Sequence, residues 1–255
     1  MKPADVDRWL RCRRPVQACR ARLLCLPYAG GGATVFHAWP DELPADIEVR
    51  VLQLPGRQDR LGEPTLSSID AIVDKVLPMI AALPRAPLVL YGHSFGGLLG
   101  FELARRIQRS GMPPVELLVI GARRAPHLPA RLVDLHGLPD APFAEALHQR
   151  YGMPRVVIDT PDLLELVLPS ARADLTAVET HVYAPGEPLG TPVVVLRGLR
   201  DTSLELSEVE GWRELVAGPV EIREVDAGHF FVDTHRPWVV REVAQILTRV
   251  TPKPA

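Results

Sequence analysis

A serine set between glycines, an aspartate and a histidine further along are the residues of this chain best placed to do nucleophilic chemistry. Residues 92–96 read Gly92-His93-Ser94-Phe95-Gly96, a G-x-S-x-G pattern. It closes the apolar run 87–91 and opens a helical pattern over 95–109. A strand, a sharp turn and a helix are what that context predicts. The turn forces the serine backbone into a strained conformation, and residues without a Cβ let strand and helix pass closely. Ser94 then stands clear of the sheet edge, near the positive end of the helix dipole. An ordinary glycine-rich turn is the bland alternative.

A serine hydroxyl is a weak nucleophile near neutral pH and needs a base, which in turn needs an orienting carboxylate. In a strand-elbow-helix fold of this kind the partners follow in the order acid, then histidine, each on a loop after a late strand. Asp201 follows the apolar run 192–197 through a glycine turn. His229 follows the run 220–225, again beside a glycine. Both loops belong at the carboxyl ends of strands, where open α/β sheets place their sites. An ordinary turn aspartate is the other reading of Asp201. His93 adjoins the serine, and its side chain is expected to point away through the turn. His127, His136, His148 and His181 fall in an irregular stretch, His235 at a helix start. Asp226 shares the loop of His229.

Acyl transfer also needs donors for a tetrahedral oxyanion. One is expected from the backbone N–H of Phe95, the residue after the nucleophile. The other is expected from the loop Pro27-Tyr28-Ala29-Gly30-Gly31-Gly32, with Ala29 as donor. That loop is not a phosphate cradle, because it lacks the Lys-Ser/Thr of a P-loop and the spacing of a dinucleotide fingerprint.

Elements must hold these groups in place. Apolar runs at 22–27, 47–54, 88–91, 115–120, 193–196 and 220–225 alternate with helical patterns at 34–43, 67–83, 95–109 and 207–216. Such alternation predicts a mostly parallel sheet flanked by helices. In the helix over 67–83, Pro78 should introduce a kink. In that over 95–109, Leu98, Leu99, Leu103 and Ile107 form the apolar side, and Glu102–Arg106 is an expected i,i+4 pair. The final helix carries Val239, Val240, Val243, Ile246 and Leu247 on its apolar face, with Thr234 as cap and Pro237 in the first turn. After Arg124 the alternation stops. Residues 125–183 read as a helical insertion, a lid, with short helices over 143–151, 161–168 and 170–182 separated by prolines. Static packing without motion is the alternative. Residues 1–255 are expected to form a single domain, with no internal repeat and no long linker.

Composition sets the outer bounds. At 255 residues, 47% hydrophobic and 24% charged, the chain suits a soluble domain with a large core. A formal net charge of −2 argues against bulk attraction to nucleic acid or to an anionic membrane. No apolar stretch approaches the ~20 residues that cross a bilayer. Residues 1–22 are arginine-rich and have no hydrophobic h-region, so no secretory signal is expected. The three cysteines, Cys12, Cys19 and Cys25, lack metal-ligand spacing, and Cys25 reads as a small buried hydrophobe. Cytoplasmic residence is the natural expectation.

The chain resembles the type II thioesterases that accompany polyketide and nonribosomal peptide synthetases, members of the α/β-hydrolase superfamily. The resemblance is carried by Leu26-Pro27-Tyr28-Ala29-Gly30-Gly31, Pro55-Gly56-Arg57-Gln58-Asp59-Arg60, Gly92-His93-Ser94-Phe95-Gly96-Gly97, Leu168-Pro169 with Arg172-Ala173-Asp174, and Gly228-His229-Phe230-Phe231. These stretches run in the family's order over nearly the whole chain. The resemblance implies an α/β-hydrolase with Ser94 as nucleophile, Asp201 as acid, His229 as base, and Ala29 and Phe95 as oxyanion donors. It implies hydrolysis of acyl or aminoacyl groups from the phosphopantetheine thiol of acyl- or peptidyl-carrier domains through an acyl-serine ester. Such enzymes clear misprimed or stalled carriers in pathways to antibiotics or siderophores. No metal or cofactor is implied, and a monomer that meets its carrier transiently is expected. Three positions depart from the pattern: Phe95 stands where methionine is common, Ala227 where a second glycine is common, and Leu175 where the lid often has an aromatic.

An acidic carrier would need basic groups to meet it. Arg57, Arg60, Arg123 and Arg124, or Arg11, Arg13 and Arg14, are candidates on clustering alone, and a solvated surface is the alternative. Rival readings of the whole chain are an esterase acting on free oxygen esters, a transacylase, and a non-catalytic carrier-binding protein on a hydrolase fold.

Overall fold

The computed structural model describes residues 2–129 and 134–250. The chain begins with α1 (Pro3–Trp9), β1 (Leu10–Arg11) and β2 (Ala21–Leu26), then α2 (Trp39–Glu42), β3 (Ile47–Leu52), α3 (Ile69–Ala81), β4 (Leu88–His93), α4 (Phe95–Ser110) and β5 (Val115–Gly121). Three helices follow, α5 (Asp140–Tyr151), α6 (Arg155–Ile158) and α7 (Pro161–Glu179). The chain then returns to the sheet with β6 (Val193–Gly198), α8 (Leu206–Glu210), β7 (Val220–Val225), α9 (Phe231–Thr234) and α10 (Arg236–Val250).

The strands form one sheet in the order β1-β3-β2-β4-β5-β6-β7. Every pairing is parallel except the two-residue β1 against β3. Apolar side chains bury on both faces, which is why the central strands read as continuous hydrophobic runs rather than alternating ones. Chain direction reverses its spread between β2 and β4, and the carboxyl ends of those strands bound the crevice where sites form in such sheets. This is the expected α/β-hydrolase architecture.

Several local expectations change. Residues 34–43 form a 3-10 turn, Ala33–Phe36, and the short α2 in place of one helix. Residues 207–216 split likewise into α8 and a 3-10 turn, Gly211–Glu214. The arginine-rich start carries α1 and β1, a strand too short to leave a periodic signal. Glu102 pairs with Arg105 at 3.0 Å, not with Arg106, because it turns inward and is largely buried. Arg106 reaches across to Asp74 of α3 at 2.6 Å. The residue before α10 is His235, and Thr234 ends α9 instead of capping the final helix.

The region between β5 and β6 is helical, as expected, but divided differently. One helix, α7, runs through Pro169, where two were predicted. A proline inside a helix removes one i→i−4 hydrogen bond and crowds one carbonyl. Here Leu168, Ala171 and Leu175 bury on one face across the proline and hold both halves in line. Residues 130–133 of the expected insertion, and residues 1 and 251–255 of the expected single domain, lie outside the described residues. No helix among the described residues is long and apolar enough to cross a membrane. Cys25 is wholly buried in β2, as its apolar setting predicts.

Candidate active site

Ser94 sits between β4 and α4 with φ 55° and ψ −111°, strained for a residue with a side chain. Its own N–H is satisfied by the Gly121 carbonyl at 2.7 Å. The elbow closes only because Gly96 has no side chain, since a Cβ there would lie 2.0 Å from the Leu26 carbonyl oxygen. The first turn of α4 therefore rests on the end of β2, where the loop 27–32 begins.

His229 and Asp201 come to this serine from the loops after β7 and β6. His229 Nε2 lies 3.0 Å from Ser94 Oγ, and its Nδ1 lies 2.7 Å from Asp201 Oδ2. A carboxylate only accepts, so Nδ1 carries the proton and Nε2 is free to take one from the serine. Asp201 and His229 are 4% and 7% exposed, dry enough for their hydrogen bonds to be strong. Burial pushes the Asp201 carboxyl up, but the His229 hydrogen bond and charge, with two bonds from Ser203, more than offset it. The carboxyl ends below the ordinary aspartate range and stays ionised.

Two histidines of this region divide the labour. His93 points away from Ser94, as expected, into the opposite face of the sheet. Its Nε2 donates to the His229 carbonyl at 2.7 Å, and its Nδ1 lies 3.3 Å from the Tyr91 hydroxyl. Desolvation, with the charge of His229, lowers the His93 pKa from 6.5 to about 3, so it remains a neutral brace for the backbone of His229. Tyr151, at the end of α5, lays its ring over His229 with centroids 4.9 Å apart.

The loop after β2 is anchored at both ends. The Tyr28 hydroxyl donates to Asp233 of α9 at 2.9 Å, and Gly30 N–H donates to Asp174 of α7 at 2.8 Å. Among the described residues, neither Ala29 N–H nor Phe95 N–H donates to a protein acceptor. Two donors thus stay open where the sequence places an oxyanion site.

A cavity of about 1070 Å³ opens from Ser94 and His229. Leu128, Tyr151, Leu175, Val178 and Tyr183 give it apolar walls, and Arg123 lies among them. Its extent between the strand ends and α7 suits an acyl chain better than a small polar substrate.

The structure relocates the arginines proposed for carrier docking. Arg57 and Arg60 are both 4% exposed and are held by Asp174 and Glu63, so they offer no docking face. Arg123 lines the cavity, and Arg124 pairs with Glu208 at 3.0 Å. Arg11 and Arg13 lie nearer the surface, each against a carboxylate, Asp59 and Asp41. Ser203 went unnoticed in the sequence. It donates to Asp201 Oδ1 through its N–H at 3.0 Å and its hydroxyl at 2.6 Å. The Asp-x-Ser spacing, a common side-chain-to-backbone turn, was the available signal.

Comparison with known proteins gives the family. The thioesterase domain family profile matches residues 21–247. The gramicidin S biosynthesis protein GrsT of Aneurinibacillus migulanus is 36% identical over 230 residues, covering 90% of each chain. Thioesterase PikA5 of Streptomyces venezuelae is 37% identical over 260 residues, covering 98% of this chain and 91% of its own. Among solved structures, the type II thioesterase BorB from the borrelidin biosynthetic cluster superposes with a TM-score of 0.87 at 35% identity, covering 94% of this chain and 98% of its own.

Proposed function

The chain belongs to the thioesterase domain family as a type II thioesterase, and on that premise we propose how Ser94, Asp201 and His229 carry its reaction. The enzyme hydrolyses acyl or aminoacyl thioesters on the phosphopantetheine arm of carrier proteins in polyketide and nonribosomal peptide biosynthesis. It thereby frees carriers that are misprimed or stalled.

The observation that carries the assignment of roles is the pair of contacts on His229, 3.0 Å to Ser94 Oγ and 2.7 Å to Asp201. Ser94 Oγ attacks the thioester carbonyl while His229 Nε2 takes its proton. The carbonyl oxygen becomes an oxyanion, held by the N–H groups of Ala29 and Phe95. Collapse breaks the carbon–sulfur bond, and His229 returns the proton to the departing pantetheine sulfur. An acyl-Ser94 ester remains in the cavity. Water then enters, gives its proton to His229 and attacks the ester. The second collapse passes that proton to Ser94 Oγ and releases the acid. Asp201 keeps the imidazole in the correct tautomer and stabilises its cation. These groups balance every proton and bond, so the scheme calls on no metal or cofactor. A cytoplasmic monomer that meets carrier domains transiently fits the scheme, and the described residues of the 125–183 insertion act as the lid over the acyl chain.

Intact-mass spectrometry of acyl-phosphopantetheinyl carriers, with wild type and with Ser94→Ala, tests the scheme. The wild type should remove the acyl mass, and the variant should be slower by ~10⁴-fold or more. Equal deacylation by both would remove Ser94 as nucleophile. Activity confined to free oxygen esters would favour a general esterase, and no turnover of either would leave a binding protein.

A further inference from the structure

The turn that carries the Ala29 N–H is held from outside by a buried ion pair. Gly31 N–H bonds back to the Tyr28 carbonyl at 2.9 Å, which makes Ala29 and Gly30 the central residues of a β-turn. Gly30 has φ +77°, the value for the third residue of a type II turn. Asp174 Oδ2 accepts the N–H of Gly30, the residue after Ala29, at 2.8 Å. Arg57 grips the carboxylate with both arms, Nη1 to Oδ2 at 2.6 Å and Nη2 to Oδ1 at 2.9 Å, and Nη1 also donates to the Gly31 carbonyl at 2.9 Å. Asp174 is 0% exposed. The ideal Cβ position of Gly30 lies 3.2 Å from the Cβ of Ala171, one turn earlier on α7, so the turn is pressed against the helix.

We propose that Asp174 and Arg57 are positioning residues for thioester hydrolysis: their buried pair clamps the 28–31 turn at Gly30 N–H and at the Gly31 carbonyl, and so fixes where the neighbouring Ala29 N–H stands to meet the oxyanion. The proposal rests on the reading of Ala29 as an oxyanion donor. It ties α7 to the site, because the helix that lines the cavity also supplies the acceptor that holds the turn. A purely structural staple would hold the molecule together without favouring the transition state. The distinction is measurable, since a misaimed donor lowers kcat while leaving substrate binding alone.

The test uses butyryl-N-acetylcysteamine as substrate and the corresponding trifluoromethyl ketone, which Ser94 converts to an oxyanion adduct, as inhibitor. Asp174→Asn and Arg57→Lys should each lower kcat by about 10- to 100-fold with KM within about threefold, the scale expected of a misplaced group. Each should weaken the ketone by a similar factor. Glu48→Gln breaks a different buried pair, with Arg22 and Arg50 at the far end of the sheet, and should lower the melting temperature while leaving kcat within about twofold. If Asp174→Asn does not fold, Arg57→Lys, which keeps the charge but loses the fork, decides alone. Folded variants with unchanged kcat and unchanged ketone affinity overturn the proposal. Ala29→Pro, which deletes the donor itself, separates the two ideas. Full turnover by that variant overturns the oxyanion reading, whereas its inactivity beside an active Asp174→Asn overturns the positioning pair alone.

Discussion

Ser94, Asp201 and His229 meet because three loops end at one edge of the sheet, and the Asp201 carboxylate then sets which imidazole nitrogen faces the serine. Ser203 adds two hydrogen bonds to the far oxygen of Asp201. Ser203→Ala should lower kcat by about tenfold without changing the fold, a loss at the low end of the ~1.5–3 kcal/mol value of a hydrogen bond to a charged group, because the Ser203 N–H bond remains; steady-state kinetics with circular dichroism would check this. His93 gives a second expectation. Its folded pKa, about 3, lies below the unfolded value of 6.5. As pH falls through 6.5 the unfolded chain takes up a proton that the folded chain refuses. Stability should therefore fall from pH 6.5 toward 3, by at most about 1.4 kcal/mol per pH unit from this residue. His93→Gln keeps a donor for the His229 carbonyl but cannot titrate. Urea unfolding between pH 6 and 4 should show its slope reduced by close to one proton; an unchanged slope would mean that His93 is protonated in the folded state.

The elbow and α7 show what elements add. Gly96 is demanded by backbone, since its missing Cβ would meet the Leu26 carbonyl at 2.0 Å, and no side-chain rotation relieves that. Gly96→Ala should cost about 3 kcal/mol or more, at or beyond the usual overpacking range, and should abolish activity with it. Gly62→Ala, with nothing within 4 Å and no positive φ, should stay within about 0.5 kcal/mol. Thermal melts of the pair would separate a steric requirement from a general intolerance of alanine. The elbow was legible because its glycines, serine and flanking patterns are contiguous. The continuity of α7 was not. Pro169 reads locally as a stop, and only the burial of Leu168, Ala171 and Leu175 against α5 and the site overrides it.

Across the whole molecule, the sheet supplies the catalytic edge and the β5–β6 region supplies the space above it. Leu175 lines the cavity at 5% exposure, where an aromatic is frequent in the family. Leu175→Trp should shorten the acyl chain accepted, with kcat/KM for octanoyl thioesters down about tenfold and for acetyl within about twofold, as expected when a hydrophobic pocket loses a few methylenes of room. An unchanged chain-length profile would place the acyl chain elsewhere. The sequence by itself determined the parallel α/β order, the elbow, and the loops of Asp201 and His229, because periodicity and glycine turns are local signals. It also offered Ala29, on the loop after β2, and Phe95, the residue after the nucleophile, as the oxyanion donors. The partners of the arginines were decided only by the tertiary structure. Arg57 and Arg60 read as surface charge, yet folding buries both. Arg57 meets Asp174, 117 residues away, at the turn that carries Ala29. Pairing at that separation leaves no periodic trace, since it depends on how α7 packs against the end of β2, and that packing exists only once the whole core has formed.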